Sequence, residues 1–500
     1  MLSKKTNKYI NNISQSIFFE GIGFVLSFLI IIIFTNKLGL QEFGTFILLK
    51  SLTSIGIAGT FLNFGYRQFV IKKISLYSDS EKNKKKNLIV SKSYFNLFII
   101  TFCISFILLI LNNFFGLNFF SFIKDDDFYL LLNLIFLIWI IEIPLYIFSH
   151  ALEGIQKLKQ IKIINFFFNF LFFVGFIIII YNNFNYKIIF LFFLLINLTK
   201  NFFIVKYSSK FFNFYVNLKF LIKIYIFEDK KFFYNNIFSN FLSFIMEFGE
   251  KYFVAIFLSI EYIGILEALS KIPKVLKALN GFIYGTFLPQ SSKYYYKNKI
   301  SFIRYLLYNN LNLNILLISL PVIFLSIFSE KLLEFFFLNE IAKYYLFFVF
   351  LLIPNVTWPI LSIFGNLIIG SNRYLKLGNF ISLIQIFLKF SIMLLLVSDY
   401  KLYSVSFGYF ANFLLIPIYF FFINKILNDK KTKKNLINYI YNCCLQLLII
   451  FLFLLNNIFF KNFYFFIIFF LSILYVTFNT IYYKNIFIKK YLKKIRIKDL

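Results

Sequence analysis

Apolar stretches of roughly 20 residues recur along the whole chain, and short polar loops rich in lysine and asparagine separate them. As helices, such stretches cross a hydrocarbon core about 30 Å thick. A soluble helical domain would instead show an amphipathic period. The pattern predicts an all-α polytopic membrane protein with about fourteen spans, at 15–36, 45–66, 89–111, 128–149, 163–181, 187–205, 235–257, 264–288, 305–328, 344–369, 377–397, 402–424, 437–457 and 462–482.

The charge of the chain follows this topology. Of the 500 residues 60% are hydrophobic and 15% are charged, and the formal net charge is +31. Most of the 52 lysines and arginines fall in loops on the side of the two termini, whereas the opposite loops carry acidic residues. Cytoplasmic loops collect positive charge, so we predict cytoplasmic termini. Topology accounts for the basic excess, and we expect no nucleic-acid partner.

A weak internal repeat divides the chain. LGLQEFG at 38–44, between spans 1 and 2, resembles LSIEYIG at 258–264, between spans 7 and 8, at an offset of 220 residues. Gly65 and Gly285 share that offset, and Gly154 and Gly370 are 216 apart. Because the offset contains six spans, the two halves have the same orientation and are related by an axis along the membrane normal.

The repeat predicts four regions. These are an N-lobe of spans 1–6 at 1–208, a cytoplasmic linker at 209–234, a C-lobe of spans 7–12 at 235–424, and two further spans with a basic cytoplasmic tail at 425–500. Two lobes around a central cavity are typical of transporters. A duplicated scaffold without a transport role would show the same repeat, but charged residues inside the spans argue against it.

Span 8 holds the densest intramembrane charge, with Glu267, Lys271, Lys274 and Lys277 close together. Glu267 and Lys271 are spaced for an i,i+4 ion pair, which leaves two net cations. Lys50 lies at nearly the equivalent position of span 2. Lysine binds phosphate as a point charge, so these four lysines predict a site for an anionic substrate. The alternative is structural pairing with buried carboxylates.

Four carboxylates inside spans are candidates for charge balance or ion coupling: Glu142, Glu247, Glu250 and Glu267. Glu247 is spaced to pair with Lys251, and structural pairing is the alternative for the whole set. Lys200 and Lys389, also within spans, are less informative.

The remaining chemistry predicts no catalytic, metal or cofactor site. Asp125, Asp126 and Asp127 resemble the paired external acids of membrane glycosyltransferases. Those enzymes also carry a large external domain, for which this chain has no room, so a solvated acidic loop is favoured. The three cysteines form no C-x-x-C motif, which leaves a metal or disulfide framework unsupported.

Several segments together resemble a known family. NKLGLQEFG after span 1, NFGYRQFVIKKIS after span 2, HALEGIQKLKQIKIIN after span 4 and EKYFVAIFLSIEYIGILEALSKI into span 8 are similar to the polysaccharide-biosynthesis transporters. These are O-antigen-type flippases for lipid-linked oligosaccharides, in the multidrug/oligosaccharidyl-lipid/polysaccharide (MOP) exporter superfamily, which also contains the MATE transporters. The resemblance covers about residues 10–425.

The resemblance implies two six-helix lobes with a cationic cavity in the bacterial inner membrane. It implies an undecaprenyl-diphosphate-linked oligosaccharide as substrate, moved by alternating access without enzymatic chemistry, and the polysaccharide polymerase machinery as a partner. Lys50, Lys271, Lys274 and Lys277 would then hold the diphosphate. A MATE-like exporter of drugs or other small molecules and a lipid II flippase are the alternatives on the same scaffold. An enzyme, either a membrane glycosyltransferase or a glycan polymerase, is a third and less favoured alternative.

Overall fold

The computed structural model describes residues 2–53, 56, 61–76, 83–114, 126–155, 157–214, 230–285, 318, 320–337, 339–356, 361, 375–427, 437, 441 and 443–451. All the regular elements in these ranges are helices. The chain divides into two compact units, Met1–Ala268 and Leu269–Leu500. The lobe boundaries inferred from the repeat stay a prediction, and most of the predicted C-terminal region at 425–500 lies outside the described residues.

The first unit is a bundle of long helices. They are α1 (Leu2–Leu52), α2 (Tyr66–Leu76), α3 (Asn83–Phe114), α4 (Asp126–Gly154), α5 (Leu158–Tyr181), α6 (Tyr186–Ser208), α7 (Lys230–Phe257) and the first part of α8 (Ile260–Gly285). In the bundle α4 packs against α2, α3 and α6, α5 packs between α1 and α6, and α7 touches α1 and α2.

A reversal at Gly39 separates the first two predicted spans. Gly39 interrupts α1 with φ 84° and ψ 174°, a backbone region open essentially only to glycine. In the second repeat, Leu258 and Ser259 form the break between α7 and α8, and Ser259 lies 220 residues after Gly39. The predicted repeat therefore corresponds to two helical hairpins whose turns occupy equivalent positions.

The second predicted span is not one helix. We expected a continuous helix over 45–66, but α1 ends at Leu52 and α2 begins at Tyr66, and the described residues between them form turns. Local chemistry explains the break, because the segment is rich in Gly, Ser and Thr, whose helix propensity is low. Ser51 Oγ donates to the Leu48 carbonyl at 2.6 Å, and Thr53 Oγ1 donates to the Lys50 carbonyl at 2.7 Å. Such bonds compete with the helical ladder.

Phenylalanines form the core around the Gly39 reversal. The ring of Phe34 lies 5.2 Å from those of Phe43 and Phe46 and 5.9 Å from that of Phe176. Phe46 in turn meets Phe190 edge-on at 6.0 Å. These side chains are at most 2% exposed. They pack the two arms of the hairpin against α5 and α6, and so fix the position of the second arm, which carries Lys50.

The second unit holds the rest of α8 and shorter helices. They are α9 (Leu320–Ile327), α10 (Ser329–Phe336), α11 (Asn339–Ala342), α12 (Tyr345–Leu352), α13 (Leu375–Tyr400), α14 (Tyr403–Tyr409) and α15 (Ala411–Leu427). Helix α13 packs against α14 and α15, and α12 packs against α9, α10 and α14.

Seven helices within the described ranges are long and apolar enough to cross a membrane. They are Gly21–Leu52, Asn83–Asn113, Asp127–Gly154, Lys159–Tyr181, Tyr186–Ser208, Leu377–Tyr400 and Tyr403–Ile423. Helices α7 and α8 are as long as these, but they carry more charged residues. The prediction of an all-α polytopic membrane protein is confirmed.

Candidate functional site

Lys50 lies in the last turn of α1, next to the break in the second span. Its ammonium group is 5.4 Å from the centre of the Phe193 ring on α6 and 5.9 Å from that of Phe46. Aromatic faces attract a cation at such distances. Lys50 is eleven residues after Gly39, which places it about 16 Å along the helix from that turn.

Two side chains from other helices hold this helix end. Trp139 Nε1 on α4 donates to the Leu52 carbonyl at 3.0 Å. The Tyr252 hydroxyl on α7 lies 3.0 Å from Ser51 Oγ. Helix ends leave backbone carbonyls without helical partners, and discontinuous helices supply substrate and ion sites in many transporters. The sequence analysis missed this feature, although the Gly/Ser/Thr-rich run at 51–60 was a usable signal.

Glu142 belongs to a buried polar cluster between α4 and α6. It is 1% exposed, and its Oε1 accepts a hydrogen bond of 2.9 Å from Asn201 Nδ2, on a residue 2% exposed. Lys200 donates to Asn197 Oδ1 at 2.9 Å and interacts electrostatically with the Glu142 carboxylate. Asn197 Nδ2 is buried and has no hydrogen-bond partner among the described residues. The arrangement stabilises a carboxylate at membrane depth with an amide and a cation.

The charges of span 7 pair differently from the sequence prediction. Lys251 Nζ lies 3.0 Å from Glu267 Oε2, and both side chains are 12% exposed. The predicted Glu247–Lys251 pair is wrong, since Glu247 is exposed and forms no ion pair within the described residues. The reason is the turn at Leu258–Ser259. Residues 251 and 267 are nearly equidistant from it, so the antiparallel hairpin brings them together. Glu250 beside them is 7% exposed.

The lysines of span 8 lie on the part of α8 that belongs to the second unit. Lys271 and Lys274 are partly exposed and Lys277 is exposed. Pro273 lies among them without ending the helix. Lys271 is twelve residues after the turn at Ser259 and Lys50 eleven residues after the turn at Gly39, so each repeat has a lysine at nearly the same distance along the chain from its turn. That these lysines bind substrate stays a prediction.

The second unit also buries Lys389, which the sequence analysis had set aside. Lys389 on α13 is 2% exposed, and its ammonium group lies 4.3 Å from the centre of the Tyr409 ring. One turn earlier, Gln385 Nε2 donates to Asn412 Oδ1, and the Tyr419 hydroxyl donates to Gln385 Oε1 at 3.4 Å. Lysine is seldom fully buried, and hydropathy alone cannot distinguish this site from a lipid-facing helix.

The acidic run before span 4 has one member whose side chain is described. Asp127 forms an ion pair with Lys187 at the beginning of α6. At the same end, Glu42 Oε2 accepts a hydrogen bond of 3.2 Å from the Tyr186 backbone N–H, where the helix dipole favours a negative charge. Because the side chain of Asp127 is 47% exposed and that of Lys187 33%, this pair lies at the surface, and the solvated acidic loop stays a prediction. Asp125 and the side chain of Asp126 lie outside the described residues.

The helices, their repeat-related hairpins and the charges inside the spans define a class, a multi-pass membrane protein with a transporter fold. No protein-family model matches the chain. No curated protein matches it either.

Solved structures identify the fold. The chain is similar to a lipid II flippase, MurJ, in an inward closed conformation, with a TM-score of 0.67 and 15% identity over 94% of this chain and 99% of the other. It is also similar to an inward-facing multidrug resistance MATE transporter of the MOP superfamily, with a TM-score of 0.62 and 14% identity over 82% of this chain and 96% of the other. A mutant form of the Vibrio cholerae MATE transporter VcmN is similar as well, with a TM-score of 0.57 and 14% identity over 86% of this chain and 99% of the other. The chain therefore has the fold of MOP transporters.

Proposed function

We propose that the chain is a flippase that moves an undecaprenyl-diphosphate-linked oligosaccharide across the bacterial inner membrane by alternating access. The oligosaccharide would be a repeat unit of O-antigen, capsule or another surface polysaccharide. The proposal places both termini in the cytoplasm and assigns no enzymatic step. The observation that carries it is a cation within a transporter fold: Lys50, at the end of a broken helix that Trp139 and Tyr252 hold in place. The proposed topology puts this cation near the middle of the membrane.

A lipid diphosphate suits this cation. A charged side chain inside a membrane is costly and usually serves a pathway or a ligand. A diphosphate supplies several anionic oxygens, and lysine is a common phosphate ligand. Lys271, Lys274 and Lys277 on the equivalent helix of the second repeat are further candidate ligands for phosphate. Glu142, Glu250 and the Lys251–Glu267 pair would balance charge, and Glu142 with its amide and lysine neighbours would couple to an ion.

The first test is genetic. In a strain whose surface glycan depends on this gene, Lys274→Ala/Lys277→Ala should lower surface glycan at least about tenfold, the effect of losing about 1.4 kcal/mol of binding. Lipid-linked oligosaccharide should accumulate in the inner leaflet. Lys331→Ala/Lys343→Ala, at two exposed positions, is the matched control. Unchanged glycan at a normal protein level would contradict the assignment of the diphosphate site.

The second test separates the substrates that the fold allows. Purified protein in liposomes should flip an undecaprenyl-diphosphate oligosaccharide, and Lys50→Gln should slow it. A lipid II flippase is the second candidate, because MurJ is among the similar structures. Faster movement of lipid II than of the oligosaccharide would favour that candidate. Movement of a cationic drug alone would favour a multidrug exporter, and sugar transfer in detergent would favour an enzyme.

A further inference from the structure

The two repeat motifs touch each other through their glycines. Gly44 of α1 and Gly264 of α8 both belong to the first unit. A Cβ atom added to Gly44 would collide with the carbonyl oxygen of Ile260 and lie 2.9 Å from its carbonyl carbon. A Cβ atom added to Gly264 would lie 2.8 Å from the carbonyl oxygen of Leu40 and 3.5 Å from the backbone nitrogen of Gly44. The nearest obstructing atom at each glycine is a backbone oxygen, which cannot turn aside, and the side chains of Ile260 and Phe43 lie beside them.

The contact is reciprocal. Each glycine lies against the carbonyl group four residues before the other glycine, and Leu40 and Ile260 differ by the same 220 residues as Gly44 and Gly264. Reciprocity of this kind is the mark of an interface about a two-fold axis. The motifs that resemble each other in sequence are thus also related by symmetry in space. Small residues let two membrane helices approach this closely.

The glycine crossing, meaning the contact of Gly44 with Gly264, lies near one end of the bundle. Gly44 and Gly264 are each five residues after their turns, at Gly39 and Ser259. Lys50 is six residues beyond Gly44, about 9 Å deeper along the helix. The crossing therefore lies between Lys50 and the end of the bundle that carries the turns, which is the external end in the proposed orientation.

We infer that the glycine crossing is the external gate of the substrate site. The inference rests on the proposed function, since alternating access requires each side of the site to close and open in turn. Close packing of backbone and apolar groups forms a seal that needs no charged group to be desolvated. Separation of the two hairpins as rigid bodies opens it, because the nearest contacts are with backbone atoms and the side chains beside them, those of Ile260 and Phe43, are apolar. A methyl group at either glycine prevents the closed contact.

The test measures access to position 50. In a chain with Cys103, Cys443 and Cys444 changed to serine, Lys50→Cys is labelled in intact cells with a membrane-impermeant maleimide. Adding Gly44→Ala or Gly264→Ala should raise the labelling rate about tenfold, the shift that an overpacking cost of about 1.4 kcal/mol produces.

The matched control is Gly21→Ala on the same helix, where a Cβ atom would meet nothing within 4 Å. Labelling should stay at the starting rate in this variant. Equal rates in all three alanine variants, at equal amounts of protein in the membrane, would overturn the inference.

A second measurement does not depend on the glycine variants folding. Gln41 and Glu261 are exposed, flank the glycine crossing and differ by 220 residues. With Gln41→Cys and Glu261→Cys, a short reducible thiol crosslinker should join the two positions and stop glycan export, and reduction should restore it. Failure to crosslink, or normal export by the crosslinked protein, would overturn the gate. Labelling at position 50 needs no substrate, so a responsive gate without glycan export would refute only the proposed function.

Discussion

The hydrogen bond between Asn201 and Glu142 gives the sharpest test of the buried cluster. The perturbation is a double-mutant cycle of Glu142→Ala and Asn201→Ala, which isolates the pairwise free energy from the cost of each truncation. The two atoms are 2.9 Å apart, and the residues are 1% and 2% exposed. Water is therefore not available to replace either partner in the folded state.

The structure sets the expected magnitude. Hydrogen bonds between side chains inside membrane proteins average about 0.6 kcal/mol and reach about 1.7. Hydrogen bonds to charged groups contribute about 1.5–3 kcal/mol in soluble proteins. The acceptor here is a buried carboxylate, so we expect a coupling free energy of about 1–2 kcal/mol, above the membrane average. Glu142→Gln keeps an acceptor oxygen at that position and should retain more of this stability than Glu142→Ala.

The assay is unfolding of the purified protein in mixed micelles by titration with sodium dodecyl sulfate, followed by far-ultraviolet circular dichroism. Asn182 provides the control, because its side chain donates to the Ile178 carbonyl at 2.7 Å but is exposed. Asn182→Ala should change the free energy of unfolding by less than about 0.5 kcal/mol. A coupling energy below about 0.5 kcal/mol between Glu142 and Asn201 would refute the claim that this bond stabilises the bundle.

Three further changes test other contacts by the same unfolding measurement. Lys251→Met should destabilise by roughly 2 kcal/mol, less than the about 3–5 kcal/mol of a fully buried pair, and adding Glu267→Gln should recover part of the loss. No recovery would contradict the ion pair. Trp139→Phe removes the hydrogen bond to the broken end of α1 and should cost about 1 kcal/mol; an unchanged free energy of unfolding would mean that this bond does not hold the helix end. Gly39→Ala should lower the free energy of unfolding by about 1–3 kcal/mol because Gly39 has a positive φ. Gly21→Ala should not lower it, because Gly21 has ordinary helical geometry. Equal effects of the two changes would argue against strain at the turn.

Hydropathy and the repeat predicted the large features of the molecule. Apolar length identified the helices, since a membrane leaves no other way to satisfy the backbone. The 220-residue offset placed Gly39 opposite Ser259 and Gly44 opposite Gly264, and the structure has turns at the first pair and a reciprocal contact at the second. These features depend on local sequence repeated at a fixed distance, which a single chain reveals.

Features that depend on partners across helices were predicted poorly. The spacing rule for one helix paired Glu247 with Lys251, but the hairpin presents Glu267 to that lysine instead. The single helix expected over 45–66 instead ends at Leu52, because hydroxyl groups that bond to carbonyls are invisible to hydropathy. Lys389 seemed uninformative because its partners, such as Tyr409, come from another helix.

A second contact between the repeats lies on the other side of Lys50 and differs in kind from the glycine crossing. Asn240 of α7 donates to Asn63 Oδ1, and Gln68 of α2 donates to Asn240 Oδ1, each at 3.2 Å. Phe61 also packs against Phe241 and Phe244 of α7, with ring centres 5.4 and 6.3 Å apart. This side is therefore held by rotatable side chains, including two neutral amide bonds of about 0.6 kcal/mol each that water can replace, whereas the nearest obstructing atoms at the crossing are backbone. The substrate-free protein should therefore open first on the Asn240 side. A cysteine at position 50 should react faster in inside-out vesicles than in intact cells, and Asn240→Ala should widen the difference. The reverse order of rates would show that the amides, and not the glycines, form the stronger seal.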